Sequence, residues 1–72
     1  VFVSNENGAV QVGDFIAVSR VAGIGMKAKE FEPYIIGKAI SGFDGETGVL
    51  STTNIEDGGE QKKVSIARIQ VD

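Results

Sequence analysis

Several residue groups in this 72-residue chain have types and spacings that bear on reactivity or binding. Asn7-Gly8 is the first. A flexible Asn-Gly can cyclise through its own backbone, and an Asn side chain is also the acceptor in Lys–Asn isopeptide crosslinks. Such a crosslink needs a lysine amine and a carboxylate buried beside the Asn amide, since burial is what shifts both groups toward their neutral forms. Lys27 and Glu6 would supply them. The competing reading makes Asn5-Glu6-Asn7-Gly8 a turn, for which Asn-Gly is the strongest short signal. Gly23-Ile24-Gly25 has the look of a phosphate cradle, but a dinucleotide fingerprint needs a third glycine, a following helix and a βαβ frame. A bend between strands is the reading that remains. Glu56, Asp57 and Glu60 lack the ligand alternation and the closing Glu of a calcium loop, so they read as a solvated hairpin tip. Glu6 and Asp14 form a carboxylate pair only if the fold brings them together. Phe15, Phe31, Tyr34 and Phe43 suit either a core or a sugar-binding face. Phe31 and Tyr34, beside charged residues, are the candidates for a ligand or partner surface.

Composition removes most other chemistry. Cysteine and histidine are absent, so there is no disulfide, no thiolate, no imidazole base and no Ser-His or Cys-His nucleophile. No catalytic residue, metal ligand or cofactor site is expected. The net charge of −3 and the scattered basic residues give no footprint for nucleic acid. No apolar run approaches the roughly 20 residues of a membrane span. A chain this short folds as one domain at most, and a single small core rarely supplies more than about 3–5 kcal/mol. With no disulfide or metal to help, oligomerisation or packing against neighbouring domains is the support left. Both ends read as strand, so residues 1–72 are expected to be one all-β module excised from a longer chain.

The elements that must position these residues are short. Ten glycines and one proline punctuate β-branched runs, and no stretch of ten residues keeps helical periodicity, the pattern of a small all-β domain. Strands are expected at residues 1–4, 10–12, 15–19, 34–41, 49–53 and 64–71. Gly13-Asp14 makes a tight turn before 15–19. That strand is apolar on both faces and should be covered on both. Gly23 and Gly25 should bend the chain and re-aim Ile24 and Met26. In 34–41, Ile36, Lys38 and Ile40 share one face. Ile35, Gly37 and Ala39 share the other, whose small residues admit another backbone. Residues 42–48 and 54–63 are read as loops, and 52–63 as a removable insertion with Asp57-Gly58-Gly59 at its tip. In 64–71 the apolar phase shifts after Ile66, as it would at a bulge or where a strand passes from one sheet to another.

The stretches ENGAVQVGDFIAVSRVAGIGMKA and IIGKAISGFDGETGVLS resemble a β-strand module of large bacterial surface proteins and phage-tail-like fibre proteins. In that module a Gly-Asp step enters an apolar strand. A Ser-x-x-x-Gly step leads to Met-Lys-Ala, and an Ile-Gly-Lys-Ala strand follows. The matching residues are Gly8, Gly13, Asp14, Ser19, Gly23, Met26, Lys27, Ala28, Gly37, Lys38 and Ala39. The resemblance covers about residues 5–50, with 64–71 similar to the closing strand. Ala9 and Ala22 stand where the module has proline. A weaker likeness is to phage head-decoration proteins.

The expected fold is therefore all-β, a small barrel or β-clip-like sandwich of six to seven short strands. The resemblance implies a non-enzymatic structural or assembly module of an extracellular or cell-surface fibre, or of a virion, and a homo-oligomer, with a trimer first. Ile24, Met26, Ile36 and Ile40 are the candidate interface residues. A glycan- or host-protein-binding module is the first alternative, and a self-processing domain acting at Asn7-Gly8 is the second.

Overall fold

The computed structural model describes residues 1–29 and 32–72; the expectation for Phe31 lies outside them. Among these described residues the fold is all-β, with six strands in one open mixed sheet. These are β1 (Phe2–Ser4), β2 (Phe15–Val18), β3 (Gly25–Lys27), β4 (Ile35–Lys38), β5 (Ser51–Asp57) and β6 (Glu60–Arg68). The order across the sheet is β4-β2-β3-β1-β6-β5. Only β1 and β3 run parallel; the other neighbours are antiparallel.

Turn chemistry explains why the strands start where they do. The Asn5–Gly8 turn closes with the Gly8 N–H donating to the Asn5 carbonyl at 2.9 Å, and the Val21–Ile24 bend closes the same way at 3.1 Å. Strand 10–12 contracts to one bridge, Val10 with Phe43, held by two 2.8 Å backbone bonds. That bridge turns Val10 and Phe43 into the core with Val3, Ile16, Ala39, Ala67 and Ile69.

Three expectations change. Residues 52–63 are not a loop: apart from Gly58-Gly59 they belong to β5 and β6, paired without interruption from Ser51↔Ile66 to Asp57↔Glu60. Only Gly58-Gly59 is loop. Its φ angles of +60° and +86° suit the twist of a two-residue hairpin turn. Thr53 and Ile55 alternate with polar residues, and Ile55 is buried, which is strand patterning hidden inside a polar composition. In β2 the covering on both faces holds for Ile16 and Ala17 alone, while Phe15 and Val18 stand exposed at the ends. The strand lies next to the sheet edge and has too few neighbours to cover all four side chains. Phe15 is accordingly a surface residue, and Phe43 alone of that pair is core.

The phase shift at the end of the chain has a clear cause. Ile66 and Ala67 are adjacent and both buried, and past β6 the chain leaves the first strand's side and runs to the end of β4. There Val71 bridges Ala39, and Lys38 and Asp72 exchange backbone bonds at 3.1 and 2.8 Å. Gly37 permits this. A Cβ there would strike the Asp72 carbonyl and lie 2.6 Å from Val71 Cγ1, the close backbone approach that the small residues of this strand predict.

Candidate functional site

Charged and polar groups converge at the loop end of the β5–β6 hairpin. Glu6 sits in the Asn5–Gly8 turn with its carboxylate almost fully buried. Arg20, in the bend after β2, is half exposed and places Nε 3.2 Å from Glu6 Oε2. Ser4, fully buried on β1, donates its hydroxyl to Glu6 Oε1 at 3.3 Å. From the hairpin, Lys62 Nζ donates to the Glu6 carbonyl at 2.9 Å. Arg20 Nη1 in turn donates to the Glu56 carbonyl and lies 4.0 Å from Asp57 Oδ1. A buried carboxylate needs a counter-ion and donors, and here Arg20 and Ser4 provide them, while Lys62 holds the Glu6 main chain. The arrangement ties the first turn, the bend at 19–22 and the hairpin into one unit. A serine beside a carboxylate can act as a nucleophile and base, but Ser4 offers no exposed atom to a substrate.

A second polar set lies on the other side of β3. Asp14 Oδ2 accepts from the Gln11 N–H at 2.8 Å and pairs with Lys27 Nζ at 3.6 Å. Asp14 and Lys27 help to line a cleft of about 390 Å³ with Phe15, Lys29, Glu32 and Ile35. Glu6 and Asp14 thus serve different cations and do not form a carboxylate pair. The crosslinking set is likewise dispersed. The Glu6 carboxylate holds Arg20, the Lys27 ammonium holds Asp14, and the Asn7 amide donates to the Lys27 carbonyl at 3.1 Å and to Met26 Sδ at 3.4 Å. Sequence reasoning missed Arg20 altogether. Its only signal was a long cation placed between two strands.

The loop after the core has one perturbed acid. Asp44 Oδ1 accepts from the Thr47 and Glu46 N–H groups at 2.6 and 2.8 Å, and Oδ2 accepts from the Thr47 hydroxyl. The Thr47 amide above all, then that of Glu46, holds this carboxyl below its ordinary value of 3.8. Glu56, Asp57 and Glu60 sit exposed around the hairpin turn.

The four candidate interface residues do not share one face. Gly25 and Met26 are consecutive in β3 and so point to opposite faces. Ile36 Cδ1 lies 3.3 Å from where a Gly25 Cβ would be, which puts Ile36 on the face of Gly25. Met26 is half-buried on the other, against Asn7. Ile24 is half-buried in the bend, and Ile40 is exposed at a groove shared with Val1, Ile69 and Val71. Apolar exposure gathers instead where β2 meets β4. Val18 pairs with Gly25 in register, so Val18 and Ile36 flank one glycine on one face. Phe15 and Ile35 line the cleft on the other face. All four are 45–57% exposed, and Tyr34, just before β4, is 72% exposed.

No family model, no curated protein and no solved structure matches the chain.

Proposed function

We propose that this chain is a non-enzymatic assembly module of an extracellular fibre or cell-surface protein, and that copies of it associate through the β2–β4 end of the sheet. One observation carries the reading: apolar side chains stand exposed on both faces of that end, Val18 and Ile36 on one and Phe15 and Ile35 on the other. The opposite end, the β5–β6 hairpin, is polar along its exposed length. Exposed apolar side chains gathered at one end of a sheet mark an interaction site, and a small domain gains most from covering them. The fibre context is supported by the resemblance over residues 5–50, which also argues for three copies. The pairing of the chain end with β4 supports a small barrel or β-clip-like closure in which β4 is held from both sides.

Light scattering on the chain tests the reading. The expected result is a species several times the protomer mass of 7.6 kDa, and the protomer mass for Ile36→Lys with unchanged circular dichroism. A wild-type chain of protomer mass at high micromolar concentration overturns it. Ligand binding through Tyr34 is the second reading, favoured by that ring's exposure. A glycan array without signal removes its sugar-binding form.

A further inference from the structure

We propose that the outer edge of β5 is a strand-addition site that takes an extended peptide segment carrying a basic residue. The two-residue turn decides which backbone groups face away from β6. In such a hairpin the residues flanking the turn, here Asp57 and Glu60, exchange hydrogen bonds, and the pattern alternates from there. Ile55 and Thr53 therefore bond to Lys62 and Val64 in β6, and Glu56, Asn54 and Thr52 turn their N–H and C=O groups outward. Arg20 agrees with this pattern, because the Glu56 carbonyl accepts from its Nη1, a donor that does not belong to β6. β5 ends the sheet, and among the described residues no other backbone group pairs with Thr52 or Asn54.

Terminal strands are ordinarily blunted by lysine, proline or a bulge. β5 has no lysine, no proline and no break in register along its seven residues, and its charges, Glu56 and Asp57, are confined to the turn end. Beside it stands the bend at 20–22. Arg20, Val21 and Ala22 enclose a groove of about 450 Å³ with Thr53, Asn54, Ile55 and Glu56. One wall is a row of main-chain donors and acceptors, and the other carries small apolar side chains. That combination recognises an extended main chain, which matches the edge residue by residue and lays alternate side chains against Val21 and Ala22.

Charge selects the occupant. Glu56, Asp57 and Glu60 surround the turn, and Arg20 is already committed to Glu6 and Glu56. A basic side chain opposite Glu56 is attracted across the new strand pair. A second copy of this chain, at net charge −3 and with the same acidic edge, complements it less well. The site is separate from the β2–β4 surface and stands or falls without it.

The test is a titration of the ¹⁵N-labelled chain with a capped hexapeptide of alternating Val and Thr with one central Lys. The expected result is saturable shifts centred on the Thr52, Asn54 and Glu56 amides. The same peptide N-methylated on its edge-facing nitrogens, or with Glu for Lys, should bind roughly tenfold more weakly or worse. Asn54→Pro removes an outward N–H while leaving the bonds to β6 in place, so it should abolish the shifts. If that variant fails to fold, the N-methylated peptide decides alone. Absence of saturable shifts at these amides at millimolar peptide, or equal binding of the N-methylated peptide, overturns the proposal. Shifts of the same amides on concentrating the chain without peptide would make a second copy the occupant, and overturn the choice of a basic peptide.

Discussion

Arg20 Nε lies 3.2 Å from Glu6 Oε2, and the same guanidinium donates to the Glu56 carbonyl on the hairpin. The pair is asymmetric, with the carboxylate buried and the cation half in water. Removing the two members therefore has unequal consequences. Arg20→Met strands a buried carboxylate and should cost about 1–3 kcal/mol. In a domain of this size each kcal/mol shifts the melting temperature by roughly 4–8 °C. Glu6→Gln keeps an acceptor for Arg20, and the freed charge on Arg20 is solvated, so its loss should be the smaller. Thermal melts that rank the two the other way would show that Arg20 is not the counter-ion that matters.

Gly37 is a steric requirement of the chain end. Gly37→Ala places a methyl against the Asp72 carbonyl and Val71 Cγ1. Overpacking of this kind costs about 1–3 kcal/mol. The loss should be local: amide exchange of Lys38 and Asp72, which bond to each other, should accelerate far more than that of Val64. Uniform acceleration at all three would mean that the terminal segment and the sheet open together.

Replacing residues 54–61 with Asn-Gly tests the hairpin. The splice deletes buried Ile55 and sets Thr53 opposite Lys62, although Thr53 pairs with Val64. Loss of a buried Ile side chain alone costs about 2–5 kcal/mol, so the melting temperature should fall by at least about 8 °C. A melt within a degree or two of the wild type would return this segment to the status of a removable loop.

Asp44 should leave an acid signature. Its carboxyl is held below 3.8 by the Thr47 and Glu46 amides. A lowered folded value means that the ionised form is the one the fold favours. The stabilisation is therefore fully present above the ordinary value and is lost as pH falls through the lower, folded one. The Thr47 amide proton should titrate with a midpoint below 3.8, and should lose that transition in Asp44→Asn. A midpoint at or above 3.8 contradicts the bonding described for this loop.

What was legible from residues alone was local. Asn5-Glu6-Asn7-Gly8 had to turn, the chain had to bend at Gly23, and Asp57-Gly58-Gly59 had to be a tip, because turn geometry is decided by a few consecutive φ and ψ angles. Gly37 and Ala39 announced that a backbone comes close without saying which one. The apolar phase slip after Ile66 announced that the strand changes neighbours. Everything that depended on partners distant in sequence lay beyond that reach. Ile55 looked like loop because its neighbours from Asn54 to Lys63 are polar or glycine, and only pairing with Lys62, beside Val64, gives it a covered face. Phe15 looked like core because its side chain is apolar, but its position near the sheet edge leaves it in water. Arg20 showed only as a long cation between two strands, since its role comes from Glu6 and Glu56, 14 and 36 residues away. Backbone torsion is set by near neighbours in the chain, while burial and ion pairing are set by the sheet order β4-β2-β3-β1-β6-β5, which no short stretch encodes.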